Sequence, residues 1–403
     1  MTEQAGFREF LEWVEANFIN HEMIYRVNAR HWSEETKDYV ISLFDGGLPS
    51  PVISLATNLN HPTVRNWLRK YGRDISHDTE HKRNIIREWY VGSFDVSELS
   101  EEDRFPVTLE SYIESYGGAI VNGYNDIINS LFKLNSRGYN FPFVPRPTNA
   151  YLVGNNIGDG YIGNDNYSLN FIGPQQEMEM INAQFNLDGN LGLLNEAGSE
   201  YYFPSGRATR NIEVYTLRCT TALGRLYYLL GVPKGVKVDQ HFLIPNWIID
   251  NEVEYGNQFL GGLFDSNGNI FLGNSRGDSD VSVTVYKIPE LRSNLEEFLE
   301  QTASLLEQNQ IHLRQGVKIY SREDRLVGRV TVSPDKSNLT RFRSRIGLRY
   351  ENRVRNLQTL LGLPDGYLEN PRIAKEAIFQ HIITNNVPVS ISDDFLLKNP
   401  TFC

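Results

Sequence analysis

Two short stretches of this chain share one order of residue types, and this repeat constrains the fold more than any other sequence feature. The stronger stretch, residues 260–270, reads LGGLFDSNGNI, and the weaker one, residues 152–162, reads LVGNNIGDGYI. In both, an apolar residue leads to two small residues four positions apart, which lie on one face of a helix. Small residues on a helix face allow two backbones to approach closely. The repeat therefore predicts two helices that pack against each other.

The polar residue that follows the second small residue lies at the C-terminal end of each predicted helix. These residues are Asp159 and Asn267, and each is followed by a glycine and by the start of a predicted strand. Gly160 and Gly268 suit a left-handed helix end, which favours glycine. If the two helices pack side by side, Asp159 and Asn267 come together at one place.

The elements predicted around the two motifs recur in the same order, which indicates an internal duplication. Each motif helix is followed by two strands, a helix, two more strands and a closing helix. After the first motif, these elements are predicted at 161–162, 167–172, 175–185, 200–203, 211–219 and 221–230. After the second motif, they are predicted at 270–272, 281–288, 289–308, 313–321, 326–333 and 338–346.

The paired motifs, with several features at similar spacing around each, resemble the two motifs of a single-chain LAGLIDADG homing endonuclease. The resemblance implies an α+β fold, a pseudo-twofold saddle of two αββαββα halves at residues 148–250 and 251–365. The motif helices would form the central interface, and the sheets would lie in the major groove of double-stranded DNA. The resemblance also implies metal-dependent hydrolysis of phosphodiesters in a long specific site, by a monomer with internal pseudo-symmetry.

In the family pattern one acid from each motif holds metal, so the resemblance assigns metal binding to Asp159 and Asn267. Mg²⁺ or Mn²⁺ would suit this place, because hard cations prefer carboxylate, carbonyl and water oxygens. A helix C-terminus adds free carbonyls and the negative end of the helix dipole. Gly158 and Ser266, which precede the two polar residues, would belong to the same metal site. Because the amide of Asn267 lacks a negative charge, we expect weaker metal binding and reduced or absent double-strand cleavage.

A basic residue after the closing helix of each half approaches the scissile phosphate in the family. Lys237 stands six positions after Gly231, and Arg353 stands six positions after Gly347. The resemblance therefore implies that Lys237 and Arg353 are catalytic residues, together with the two motif residues. Without the repeat, a Lys or Arg after a helix would be read as an ordinary surface residue.

Three further polar residues stand inside the motifs. Asp265 is a common acid of this motif, but it does not occupy the metal-binding place. Asn155 and Asn156 stand where apolar core residues are usual, and a buried amide is costly unless it is hydrogen-bonded. They indicate either a local rearrangement that exposes them or a half that has lost its function.

Residues 1–147 are predicted to form a helical region with a helix-turn-helix at about 33–72. The paired helices are predicted at 50–59 and 63–71. Polar residues on the second helix would meet base edges and phosphates in the major groove. The residues predicted to make these contacts are Arg65, Asn66, Arg69 and Lys70. An ordinary packed helical hairpin would give the same pattern, so both interpretations stay open.

The net charge of −11 and the pI of about 5.3 are unusual for a protein that binds nucleic acid. The charge is unevenly distributed, however, because residues 313–355 contain twelve Lys and Arg against four Asp and Glu. A local basic face on an acidic protein can still bind phosphate, although a solvated surface would carry the same charges. The residues of this region predicted to contact DNA are Arg314, Lys318, Arg322 and Arg329.

The chain is expected to be an intracellular, cytoplasmic protein with no membrane partner. No apolar run approaches the roughly 20 residues that a membrane helix needs, and residues 1–10 lack the pattern of a signal peptide. Two cysteines, Cys219 and Cys403, are too few for a disulfide framework or a zinc site. Residues 366–403 are expected to form a C-terminal extension.

Three functions remain open on this sequence. The first is a LAGLIDADG-type endonuclease that cuts both strands or nicks one strand of DNA. The second is a catalytically silent relative of the same fold, which would act as a DNA-binding regulator or as an RNA-binding intron maturase. The third is a structural or protein-interaction role, which the negative net charge favours.

Overall fold

The computed structural model describes residues 5–28, 31–75, 78–96, 98–100, 103–117, 120–164, 166–203, 206–271, 280–362 and 389–390 of the chain. The chain divides into two compact units, Met1–Val144 and Pro145–Cys403. The expected C-terminal extension, residues 366–403, lies outside the described residues except for one short strand at Val389–Ser390.

The first unit is mostly helical and has one small antiparallel hairpin. Its helices are α1 (Ala5–Phe18), α2 (Glu34–Asp45), α3 (Ser50–Ala56), α4 (His61–Lys70), α5 (Asp78–Ser93), α6 (Leu109–Glu114) and α7 (Ile120–Asn135). The hairpin pairs β1 (Arg26–Asn28) with β2 (His31–Trp32). Within this unit α1 packs against α7, and α2, α3 and α4 pack against one another.

The paired helices of the predicted helix-turn-helix are present, but their predicted boundaries are wrong by a few residues. Helix α3 ends at Ala56 rather than at residue 59, and Asn58 then adopts the left-handed conformation with φ of 53°. Helix α4 begins at His61 rather than at residue 63. Pro62 lies in its first turn, where the missing backbone N–H has no intrahelical partner to lose.

The second unit contains the predicted duplication, and the α+β fold class with two αββαββα halves is confirmed. The first half comprises α8 (Pro147–Gly158), β3 (Tyr161–Ile162), β4 (Leu169–Gly173), α9 (Gln175–Gln184), β5 (Asn190–Phe203), β6 (Gly206–Arg218) and α10 (Thr221–Leu229). After a linking helix, α11 (Asn246–Ile249), the second half comprises α12 (Val253–Ser266), β7 (Gly268–Phe271), β8 (Asp280–Lys287), α13 (Arg292–Gln308), β9 (Leu313–Arg322), β10 (Arg325–Val332) and α14 (Lys336–Arg345). Helix α15 (Glu351–Gly362) and strand β11 (Val389–Ser390) follow.

Each half forms an antiparallel sheet with the same strand order. The orders are β3-β4-β6-β5 and β7-β8-β10-β9, and β11 adds an edge strand next to β5. The strands predicted at 200–203 and 211–219 are too short, because β5 and β6 form a hairpin that is paired from Asn190 to Arg218. Pairing between the strands sustains this hairpin through residues that show no regular apolar alternation.

The two motif helices, α8 and α12, approach each other at a glycine of each helix. A Cβ atom on Gly154 would lie 2.1 Å from the carbonyl oxygen of Phe259. A Cβ atom on Gly262 would lie 2.0 Å from the carbonyl oxygen of Tyr151. Only glycine permits so close a backbone approach, and the approach is what brings the C-terminal ends of the helices together.

Candidate active site

The C-terminal ends of α8 and α12 lie in contact. A Cβ atom on Gly158 would lie 1.8 Å from Ser266 Oγ, so the helices leave no room for a side chain there. Asp159 and Asn267 are the C-cap residues, with φ/ψ of −95°/−13° and −90°/−1°. The two motif residues therefore occupy matching positions at adjoining helix ends.

The glycines that follow the motif residues do not adopt the predicted left-handed conformation, since neither has a positive φ. Lack of space explains the glycines instead. A Cβ atom on Gly160 would lie 2.4 Å from Asn156 Nδ2 and 2.7 Å from the carbonyl oxygen of Asn170. On Gly268 it would lie 2.0 Å from the carbonyl oxygen of Phe264. Each helix thus passes through a crowded turn directly into the first strand of its sheet.

Asp159 presents a carboxyl group that solvent reaches. Protein atoms nevertheless surround the group, so that desolvation raises its pKa, while the positive charges of Lys237 and Arg353 oppose the rise. A carboxyl group that solvent reaches can also be reached by a ligand. Asp159 is therefore open to solvent and within electrostatic range of one cation from each half.

Lys237 lies against the end of α8. Its Nζ donates hydrogen bonds to the carbonyl oxygens of Asn156 at 2.9 Å, of Ile157 at 2.8 Å and of Gly158. The last carbonyls of a helix lack intrahelical partners, and a cation also meets the negative end of the helix dipole there. Desolvation lowers the pKa of Lys237 to about 8, and the charge of Asp159 opposes that shift.

Arg353 holds the corresponding place at the end of α12 with fewer contacts. Its Nε donates a hydrogen bond to the carbonyl oxygen of Asp265 at 3.4 Å. The side chain is half-buried, as is that of Asn267. The two predicted cations thus lie at the two motif helix ends. Among the described residues, the ammonium caps three carbonyls and the guanidinium contacts one.

Asn155 and Asn156 are buried, so the expected rearrangement that would expose them is absent. Asn155 Nδ2 donates a hydrogen bond to Tyr350 Oη at 3.0 Å, across to the second half. Asn156 Nδ2 donates to the carbonyl oxygen of Asn170 at 2.9 Å, whereas its Oδ1 has no hydrogen-bond partner among the residues that the structure describes. Both amides therefore have structural partners that a sequence pattern does not show.

Asp265 joins the two halves instead of facing the motif residues. Its Oδ2 accepts hydrogen bonds from Tyr151 Oη and from the backbone N–H of Arg349, both at 2.7 Å. The guanidinium of Arg349 lies over the rings of Tyr151 and Phe185, 4.3 Å and 4.8 Å from their centroids. Desolvation raises the pKa of Asp265 to about 6, although these hydrogen bonds oppose the rise.

Glu177 is a further acid near this site. It lies in the first turn of α9 and is half-buried. Desolvation raises its pKa to about 7, the charge of Arg353 opposes the rise, and Asp265 and Asp159 add to it. An acid in the first turn of a helix is common, because the helix dipole favours it there, so no sequence pattern singles out this position.

The oxygen donors at the helix ends fit a hard divalent cation that also binds a ligand, but they do not form a closed cage. Asp159 offers a carboxylate and Asn267 an amide oxygen. The carbonyl of Gly158 already accepts a hydrogen bond from Lys237, and Ser266 Oγ donates to a carbonyl of its own helix at 3.0 Å. Among the residues that the structure describes, no three His, Cys, Asp or Glu side chains are grouped to hold a metal. Oxygen ligands from outside the chain would have to complete the coordination.

Three of the four basic residues expected to contact DNA in the second half share one face of its sheet. Lys318 and Arg322 are exposed on β9, and Arg329 of β10 pairs with Lys318. Arg329 is half-buried, and its Nε and Nη2 donate hydrogen bonds to Ser282 Oγ at 3.1 Å and 2.9 Å. Arg314 is exposed where the pairing of β9 with β10 becomes irregular.

Helix α4 of the first unit presents the polar residues that were expected to contact DNA. Asn66, Arg69 and Lys70 are exposed, and Arg65 is half-buried. The opposite side of the helix is buried and apolar. A basic, amphipathic surface of this kind is compatible with both the DNA-binding hairpin and the ordinary packed hairpin.

Comparison with families of known proteins gave no matching family model. Among curated proteins, the tRNA-splicing ligase RtcB of Methanopyrus kandleri is 25% identical over 209 residues, which are 51% of this chain and 21% of the relative. RtcB of Pyrococcus abyssi is 30% identical over 167 residues, 40% of this chain and 18% of the relative. The chain thus spans about a fifth of the length of the curated relatives that it matches.

Solved structures of the homing endonuclease I-DmoI show a weak likeness to this chain. A structure of its mesophilic variants has a TM-score of 0.32 at 13% identity and covers 53% of this chain and 97% of that chain. I-DmoI in complex with DNA and Ca has a TM-score of 0.28 at 12% identity, with 58% and 97% covered. A likeness of this size carries no argument about function. Within the described part of the chain, no helix is both long and apolar enough to cross a membrane.

Proposed function

We propose that this chain binds double-stranded DNA and hydrolyses phosphodiesters in it, as a LAGLIDADG-type endonuclease with one weakened half-site. One observation carries the proposal. Two glycine-packed helices end side by side with Asp159 and Asn267 in matching C-cap conformations, and one cation from each half lies at each helix end.

The chemistry of the site follows from its charges. When bound at Asp159 and Asn267, Mg²⁺ or Mn²⁺ supplies a charge that activates water and neutralises the leaving oxygen. Lys237 and Arg353 place positive charge beside Asp159, which favours its carboxylate form and attracts the phosphates of a bound strand. The protein thus contributes a fixed arrangement of charge that is formed before DNA arrives.

The two halves of the site carry different charges, so we expect the two DNA strands to be cut at different rates. Asp159 brings a full negative charge to the end of α8, whereas Asn267 brings only an amide to the end of α12. Metal affinity depends on the charge of the ligands, so the two phosphodiesters of a duplex site would be cut at different rates. The expected product is DNA nicked in one strand, followed slowly or never by a double-strand break.

DNA would be held by the basic face of the second half. Lys318, Arg322 and Arg329 lie on one sheet face, where a twisted antiparallel sheet can follow a groove. Binding of this kind is largely electrostatic, so its affinity would fall steeply as the salt concentration rises. The exposed residues Asn66, Arg69 and Lys70 of α4 would add a second, separate contact with DNA.

Cleavage of a randomised duplex library in Mg²⁺ or Mn²⁺ tests the proposal, with products sequenced on each strand. Enrichment of one nicked sequence would support it, and the Asp159→Asn variant should bind that sequence without cutting it. Tight, salt-dependent binding with no cutting in either metal would leave the DNA-binding regulator as the function.

The curated relatives favour one alternative, because both are named tRNA-splicing ligase. Structured RNA, and RNA with broken ends, should therefore be tested beside DNA. Preference for RNA over the duplex library by more than about tenfold in Kd would favour an RNA-binding role. Joining of broken RNA ends by the purified chain would overturn the endonuclease proposal.

A further inference from the structure

Lys287 is a buried lysine outside the pair of predicted catalytic cations. Its side chain has no exposed surface, and it follows three inward-facing valines at alternate positions of β8. Burial of an ammonium group is costly unless the group finds polar partners. Desolvation lowers the pKa of Lys287 to about 7, and the charge of Lys237 adds to this shift.

The partners of Lys287 belong to the segment that links the two halves. Its Nζ donates a hydrogen bond to the carbonyl oxygen of Lys237 at 2.8 Å and another to the carbonyl oxygen of Gln240. The same Nζ lies 3.6 Å from the centroid of the Phe242 ring, which is within the range of a cation–π contact. The next residue, Ile288, donates its backbone N–H to the carbonyl oxygen of Val238 at 3.2 Å.

These contacts connect the second half to the cation of the first half. The end of β8 holds the backbone of Lys237 on one side, while the Lys237 side chain reaches the last carbonyls of α8 on the other. The long side chain of a lysine has many rotamers, so a fixed backbone is needed for its ammonium to occupy one place. Without the hydrogen bonds from Lys287, the turn at Lys237–Asp239 would have fewer contacts with the second half.

We propose that Lys287 is a positioning residue, which sets the ammonium of Lys237 against the end of α8 and beside Asp159 by holding the backbone of Lys237 from the second half. The catalytic part of this inference rests on the proposed function of the site. The positional part does not, because the place of the Lys237 ammonium can be measured without any cleavage.

Lys287→Met is the main variant, because it keeps the length of the side chain and removes its hydrogen bonds. Lys287→Gln is a milder variant that keeps one donor group. The matched control is Asn338→Ala in the same half. Asn338 is also buried, and its Nδ2 donates to the carbonyl oxygens of His312 and Ser333 at 3.0 Å and 2.9 Å, far along the chain from Lys237.

The first measurement is the rate at which Lys237 is acylated by an amine-reactive ester, followed by mass spectrometry. Lys287→Met should raise the rate at Lys237 by about tenfold, because the ammonium leaves its carbonyls more often. Asn338→Ala should change the acylation rate of Lys237 by less than about twofold, measured at a temperature where this variant and Lys287→Met are folded to the same extent. An unchanged rate in folded Lys287→Met, or an equal rise in the control, would overturn the proposal.

The second measurement is single-turnover cleavage in a double-mutant cycle with Lys237→Met. If Lys287 acts through Lys237, the double variant should cut no more slowly than Lys237→Met alone. The Kd values of these two variants for DNA should agree within about twofold. Additive losses would show that Lys287 acts through general stability, and would also overturn the proposal. If the unaltered chain cuts nothing, the proposed function fails, and the acylation rates still decide whether Lys287 positions Lys237.

If Lys287→Met does not fold, Lys287→Gln replaces it in both measurements. The single amide donor of the glutamine should keep some of the hydrogen bonding to the backbone of Lys237. We therefore expect Lys237 to be acylated at a rate between that in the unaltered chain and that of a freely exposed lysine. No change in Lys287→Gln would count against the proposal in the same way.

Discussion

At the end of α8, an acid stands beside an ammonium that caps three carbonyls, whereas at the end of α12 an amide stands beside a guanidinium that contacts one. The backbone conformations of the two caps are nearly the same. The duplication has therefore kept the backbone arrangement and changed the charges. Close packing of the two helix faces fixes the backbone arrangement, whereas the charges depend on single side chains that packing does not restrict.

The buried positions of the two motif helices also differ, and here the first motif is the one that departs from the apolar pattern. Helix α8 buries two amides, Asn155 and Asn156, where α12 buries Leu263 and Phe264. The amides find partners in Tyr350 and Asn170. The polar interior of α8 is thus compatible with an ordered first half.

The largest effect is expected from removal of Asp159, the only carboxylate at the two motif C-cap positions. Asp159→Asn should slow cleavage of either strand by about 10³-fold, at the upper end of losses seen when one electrostatic contact to a transition state is removed. DNA binding at equal salt should persist, because the change removes a negative charge. Strand-resolved single-turnover rates measure this. The exposed acid Asp250, changed to Asn, is the matched control, and an equal loss there would contradict the assignment.

The next largest effect should distinguish the two cations. Lys237→Met should reduce the cleavage rate by about 10²-fold and Arg353→Met by about tenfold, because the first cation is fixed by three hydrogen bonds and the second by one. Single-turnover rates at saturating protein give the comparison. Arg355→Met, which alters an exposed neighbouring arginine, provides a control. Equal losses at 237 and 353 would mean that the contact asymmetry has no catalytic consequence.

Restoring the missing charge should make the two halves more alike. Asn267→Asp is expected to tighten binding of Mn²⁺ by about tenfold, since affinity follows the charge of the ligands. It should also bring the cutting rates of the two strands closer together. Calorimetry with Mn²⁺ on the DNA complex and strand-resolved gels measure the two changes. Asn246→Asp adds the same charge at an exposed position outside the two motif helices, and a similar gain there would indicate a nonspecific effect.

The smallest effect is a dependence of the cleavage rate on pH. The pKa of Lys237 is lowered to about 8, so its ammonium is present below that pH and is lost as the pH rises through it. The rate should therefore fall a few-fold between pH 7.5 and pH 9. Rates across this range at fixed Mg²⁺, compared with those of Lys237→Arg, are the measurement. Arginine stays charged, so the fall should vanish, and a fall that persists would assign it to another group.

The duplication was predictable from sequence because helix period and small-residue spacing are local properties. The order of strands and helices in both halves followed from these patterns, and only boundaries such as those of α3, α4 and the β5–β6 hairpin were wrong. The boundaries depend on pairing partners and on single residues such as Asn58, which local periodicity does not register.

The environment of the candidate site could not be predicted in the same way. Glu177 at the start of α9 lies within electrostatic range of Arg353, Asp265 and Asp159. Asp265 is buried and accepts hydrogen bonds from Tyr151 and Arg349. Each of these contacts joins residues that are distant in the chain. The residue types alone were compatible with exposed surface positions.

The sequence by itself determined that two similar halves exist, that their motif helices can approach closely, and that the second motif has an amide, Asn267, where the first has the acid Asp159. Those properties follow from residue size, spacing and formal charge, which are fixed before folding. Only the tertiary structure decided which carbonyls Lys237 caps, that Lys287 holds it from the other half, and where Asp265 and the buried amides find partners. Hydrogen bonds and desolvation depend on which distant groups folding brings together, so they exist only in the folded chain.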